Sequence, residues 1–97
     1  VLELVKETAL YWEKVRWKDV SETEDRPYES GLLKLNCDKA LHYLNWHAVM
    51  EFKDTVRMTA QWYGAYYQNP SEISDYTRNQ ITDYTRIANQ KGLSWAL

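Results

Sequence analysis

Few side chains in this sequence could act on a substrate or hold a metal, and their spacing limits the chemistry open to them. Cys37, Asp38, His42 and His47 have metal-ligand character. With one thiolate available and a spacing that matches no zinc signature, no metal site is expected. A tyrosine becomes a usable base when a lysine one helical turn later lowers its phenol pKa, yet none of the eight tyrosines has a lysine four residues on. A dinucleotide needs a glycine-rich turn at the start of a helix, where the backbone can approach the pyrophosphate. Gly31, Gly64 and Gly92 are too far apart to form one. By spacing, these residues offer no recognisable catalytic, cofactor-binding or metal site.

The elements that would position any site must come from 97 residues, enough for one domain that buries about 60–70 % of its extended surface. Apolar residues at 44 % and charged residues at 27 % place the chain among ordinary globular proteins. Five tryptophans and eight tyrosines are many for so thin a core, and such rings stabilise chiefly when removed from water, so a further covering surface is expected. The formal charge of −2 argues against nucleic acid as a partner. No apolar run approaches the roughly 18 residues of a membrane span, and the lone Cys37 fits a reducing compartment, so a cytoplasmic location is expected.

Val1, Leu2, Val5, Ala9 and Trp12 form one apolar helical face, which predicts a first helix ending near Lys14. No capping residue precedes Val1, so this end reads as cut from a longer chain. Val15, Trp17 and Val20 suit a short strand, followed by a polar loop over Ser21–Glu29 that contains Arg26-Pro27. A second strand is expected at Leu32, Leu33 and Leu35. Asn36 then caps a helix from about Cys37 to Leu44, and Asn45 ends it with positive φ, turning Trp46 back onto the helix.

A third helix is read over Glu51–Tyr67, with Asp54 in its first turn and Gln68-Asn69-Pro70 as its stop. A fourth starts at Ser71 or Ser74, carries a weaker stripe of Ile73, Tyr76 or Thr77, Ile81, Tyr84 and Ala88, and stops at Gly92 before Trp95. The fold class is thus mainly α with two short β-strands, about four helices in all. Asp75-Tyr76-Thr77-Arg78 recurs as Asp83-Tyr84-Thr85-Arg86, a repeat too short to define a repeat architecture. Trp46, Trp62 and Tyr63 are expected in the core with Met50, Phe52 and Val56 beside them. Lys39 and Arg57 read as solvated helix charges.

The order of a leucine-rich strand, Asp38-Lys39-Ala40, Leu44-Asn45-Trp46 and a helix reaching Trp62-Tyr63 resembles the C-terminal part of extended short-chain dehydrogenase/reductase enzymes that act on nucleotide sugars. Pro27-Tyr28-Glu29 before the strand and the long segment from Tyr76 to Trp95 resemble the 4,6-dehydratases among them. Arg26-Pro27-Tyr28-Glu29 also satisfies the pattern of the GDP-mannose enzymes. Asn45 stands where the family usually has Gly, Ala48 where it has Pro, and Tyr28 where it often has His. Asn tolerates the helix-ending conformation, and Ala for Pro loosens the turn by about 0.4–1 kcal/mol of unfolded-state entropy.

The resemblance implies that residues 1–97 are a single C-terminal, substrate-binding lobe whose partner is an N-terminal Rossmann domain that binds NAD. It implies redox-neutral dehydration of a nucleotide sugar, most closely CDP-D-glucose, in carbohydrate biosynthesis. The alternatives are GDP-mannose, an epimerase lobe, or a non-enzymatic helical interaction module. Since the family's tyrosine–lysine base and glycine-rich NAD turn are not found in this sequence, the resemblance also implies that the lobe alone is catalytically inactive, with no catalytic or cofactor-binding residues. It also marks Arg26 and Glu29 as candidate contacts to a nucleotide diphosphate and a ribose hydroxyl, since the planar fork of Arg donates two hydrogen bonds at once. Among Asp19, Glu22, Glu24 and Asp25, Arg26 is equally open to being solvated or weakly ion-paired. Alone, the lobe is expected to self-associate as a homo-oligomer through the face left uncovered.

Overall fold

In the computed structural model, which describes residues 1–18 and 34–97, helices are the only regular elements among the described residues. They are α1 (Leu2–Ala9), α2 (Asp38–Leu44), α3 (Phe52–Gln68) and α4 (Ile73–Gln90), with 3-10 turns at Pro70–Glu72 and Ser94–Ala96. The chain divides into two compact units, one of Val1–Arg16 with Val49–Leu97 and the other of Trp17–Ala48.

In the first unit α3 begins after the extended Glu51, with Asp54 in its first turn where a carboxylate complements the helix dipole. It ends at Gln68 because Pro70 cannot continue it, and Pro70 instead opens the 3-10 turn that reverses the chain into α4. The two helices run antiparallel, since Trp62 bonds to Thr77 while the earlier Met58 bonds to the later Gln80. α4 stops on Gly92 at φ 74°, where the amides of Gly92 and Leu93 return to the carbonyls of Asn89 and Ala88, a Schellman closure.

The core of this unit is made of small residues. Val49, Val56, Ala60 and Ala88 are buried, and Ala88 is fully excluded from water. Small side chains let α3 and α4 approach closely, and Lys91 donates from Nζ to the carbonyl of Val49, tying the segment before α3 to the end of α4. Beyond Gly92, Trp95 folds back to stack on Tyr84 with centroids 6.0 Å apart, and Asn89 donates to the carbonyl of Ala96. Gly64 sits inside α3, where glycine costs roughly 1 kcal/mol relative to alanine. No packing demands it, because a Cβ there would meet nothing within 4 Å.

Several expectations need correction. The first helix stops at Ala9 and not near Lys14: Leu10 and Tyr11 bond back three residues in the tighter 3-10 manner, and Trp12 then lies across α3. Its half-buried positions are Val5, Glu7, Thr8 and Trp12, while Leu2 and Ala9 of the expected face are exposed. On α4 the inward stripe runs through Gln80 and leaves Ile81 61 % exposed. Gln80 holds the position that the 3.6-residue period assigns, and it satisfies its amide on the carbonyl of Met58. Val15 to Lys18 form no strand, and none of the described residues pairs with them in a ladder. Val20, Leu32 and Leu33 lie outside the described residues, so the strand read over Leu32–Leu35 is described only at Leu35, which is exposed.

In the second unit α2 is built by its ends. The Asn36 side chain accepts from the amide of Asp38 at 2.7 Å. Asn45 adopts φ 50°, ψ 34°, and its own amide closes on the carbonyl of Leu41 at 2.9 Å. The amide of Trp46 returns to the carbonyl of Ala40, so the chain turns back onto the helix as expected. No residue of α2 is buried.

Candidate functional surface

Arg26 and Glu29, the two candidate substrate contacts, lie outside the described residues. Among the described residues the groups singled out in the sequence do not converge. Cys37 and His42 are exposed, with the imidazole of His42 edge-on to Tyr43 at 4.9 Å. No three His, Cys, Asp or Glu side chains gather closely enough to hold a metal among the described residues. Arg57 is no free solvated charge: it meets Asp54 at 3.3 Å and Gln61 at 3.4 Å along its own helix. Asp75–Arg78 and Asp83–Arg86 form the same three-residue pair, also at 3.3 Å, so the short repeat yields two identical exposed rungs on α4. Such pairs contribute about 0.5 kcal/mol or less.

What the fold does bring together is aromatic. α3 presents Trp62, Tyr63, Tyr66 and Tyr67 in its last two turns. Trp12 stacks on Tyr63 (6.3 Å, 4° between planes) and on Tyr67 (5.6 Å, 19°). Trp62 stacks on Tyr66 at 5.6 Å and 2°, and edge-to-face contacts join Trp62 to Tyr63 and Tyr66 to Tyr67. These separations and angles are those that favour attraction between ring quadrupoles. The indole of Trp62 donates to Thr77 Oγ1 at 2.8 Å, and that hydroxyl donates onward to the carbonyl of Ile73. Trp62 is thus fixed by packing on one side and by a hydrogen bond on the other.

Trp46, Trp62 and Tyr63 were expected in the core with Phe52 and Val56 beside them, and most of these rings are not buried. In the first unit Trp62 is half-buried, Tyr63 is 45 % and Phe52 46 % exposed, and Val56 is buried, so the small core of that unit leaves its large rings at the margin. In the second unit Trp46 is 42 % exposed, and Tyr43 and Leu44 are also largely exposed. The role of Trp12 as the ring joining α1 to α3 was missed in the sequence, where it counted only as part of a helical face. Gln80 and Lys91 were missed because a polar side chain gives no periodic apolar signal.

No helix among the described residues is long and apolar enough to cross a membrane. A scan against protein-family models finds no match, and neither do searches of curated proteins and of solved structures.

Proposed function

We propose that this chain is the substrate-side lobe of a nucleotide-sugar 4,6-dehydratase, with CDP-D-glucose as the substrate and CDP-4-dehydro-6-deoxy-D-glucose as the product. The observation that carries the reading is the ordered series Asn36-Cys37-Asp38-Lys39-Ala40, Leu44-Asn45-Trp46 and Trp62-Tyr63. Its support from the geometry is local. Asn45 occupies the left-handed region at the position where the family places glycine, and α3 carries Trp62-Tyr63 in its second half. The strand read at Leu32–Leu35 belongs to this proposal, as an edge that pairs once a partner strand is supplied.

The parent reaction would oxidise the sugar at C4, remove water across C5 and C6 and reduce C6, and NAD, where bound, would accept the hydride from C4 and return it to C6, leaving no net redox change. The glycines among the described residues do not fit NAD. Gly64 lies in the middle of a helix and Gly92 at the C-terminal end of one, so neither opens a helix toward a pyrophosphate. The dinucleotide, and the tyrosine–lysine pair, belong to the N-terminal Rossmann domain that the proposal assigns as partner. Arg26 and Glu29 are the proposed substrate contacts of the lobe.

Grafting residues 1–97 in place of the C-terminal lobe of a CDP-glucose 4,6-dehydratase tests the reading. The folded chimera is expected to convert CDP-glucose to a product lighter by one water, and to leave GDP-mannose unchanged. A folded chimera that dehydrates neither nucleotide sugar sinks the proposal, and one that prefers GDP-mannose moves it to the other dehydratase.

A further inference from the structure

We propose that the cleft between the end of α1 and the C-terminal half of α3 binds a neutral saccharide of one or two pyranose rings, an inference that rests on this cleft alone and not on the function proposed above. The cleft holds about 320 Å³, at the small end of the range for ligand sites.

Its lining pairs aromatic rings with a short polar rim. Trp12 and Tyr67, stacked at 5.6 Å, both line it, and Tyr67 remains 62 % exposed. The face of an aromatic ring carries partial negative charge and attracts the partly positive C–H groups on the face of a sugar ring. Glu13, Lys14 and Gln68 also line the cleft and supply hydrogen-bond acceptors and donors. The charges of Glu13 and Lys14 cancel, which favours an uncharged polyhydroxylated ligand over a phosphate or a cation.

Gly64 supplies a separate argument. It lines the same cleft, it departs from helix preference, and the space beside it is open. A larger side chain at that position would fill room that a ligand needs, which accounts for a glycine that packing does not require.

The test titrates the full chain with glucose, maltose and adenosine, following tryptophan emission and ligand-observed NMR. Glucose or maltose is expected to bind in the millimolar range, with adenosine inert. Tyr67→Ala and Gly64→Leu are expected to weaken sugar binding by about 10-fold or more, which corresponds to losing one good contact surface. Gly64→Ala, with its single methyl, is expected to stay within about 3-fold. Leucine favours helix over glycine, so circular dichroism should show helix content retained in Gly64→Leu. Should that variant fail to fold, Glu13→Gln and Lys14→Ala take its place, each expected to weaken binding. Absence of saccharide binding up to about 10 mM, binding of adenosine in preference to sugars, or unchanged affinity in the folded variants overturns the proposal.

Discussion

α2 and the α3–α4 hairpin are stabilised in opposite ways. The hairpin has 17- and 18-residue helices that carry the buried Val56, Ala60 and Ala88 and are joined by the Trp62–Thr77 and Gln80–Met58 hydrogen bonds. α2 has seven residues, none buried, and rests on Asn36 at one end and Asn45 at the other. Helices shorter than about 12 residues are marginal in water on their own. The hairpin therefore owes its helicity to packing, whereas α2 relies on its caps. Substitutions should separate the two, because a change in packing acts on the whole first unit while a change in a cap acts on one helix.

The largest effect is expected from Ala88→Leu. Ala88 is fully excluded from water, so added methylenes must displace the residues packed around it, at a cost of about 1–3 kcal/mol. Thermal melting followed at the tryptophans checks this, with a drop of roughly 4 °C or more for each kcal/mol. An unchanged melting temperature would show that the hairpin is looser than its burial implies.

Asn45→Val comes next. A β-branched residue at φ 50° is strained by about 1–2 kcal/mol, enough to fray α2. Asn45→Gly removes the strain altogether and should protect α2 more than the native residue does. Amide exchange over Lys39–Asn45 reads both, and the melting of the first unit should move little. Equal global destabilisation by Asn45→Val would erase the contrast between the two regions.

Asn36→Ala is expected to be the mildest, removing the side-chain acceptor for the Asp38 amide at a cost of about 1 kcal/mol. Faster exchange confined to the Asp38 and Lys39 amides is the expected result. Protection equal to the native chain would mean that the cap contributes nothing.

Those residues also mark how much was legible beforehand. Asn45 could be read because capping depends on a residue and its neighbours three or four positions away, whereas Asn36 lies one residue before the N-cap Cys37 and still accepts from the Asp38 amide. Pro70 and Gly92 were legible for the same reason, as was the existence of α3 and α4. The boundary at Ala9 was not, because the residues after it continue an acceptable helical pattern. What ends the helix there is the stacking of Trp12 on rings more than fifty positions later. Of the candidate site, Arg26 and Glu29 could be singled out by residue type and by resemblance, whereas the cleft beside Gly64 carried no sequence signal. It exists only where Trp12 and Tyr67 meet.

The sequence alone therefore determined the helix-rich character of the described chain and the C-terminal ends of α2 and α4, since these depend on backbone preference and nearest neighbours. Only the tertiary structure decided that Gln80 faces α3 in place of Ile81, that valines and alanines and not tryptophans fill the core, and that Trp12 bridges two helices. Hydrophobicity ranks residues one at a time, but burial is set by the space two helices leave between them. In this hairpin that space fits a methyl group and excludes an indole.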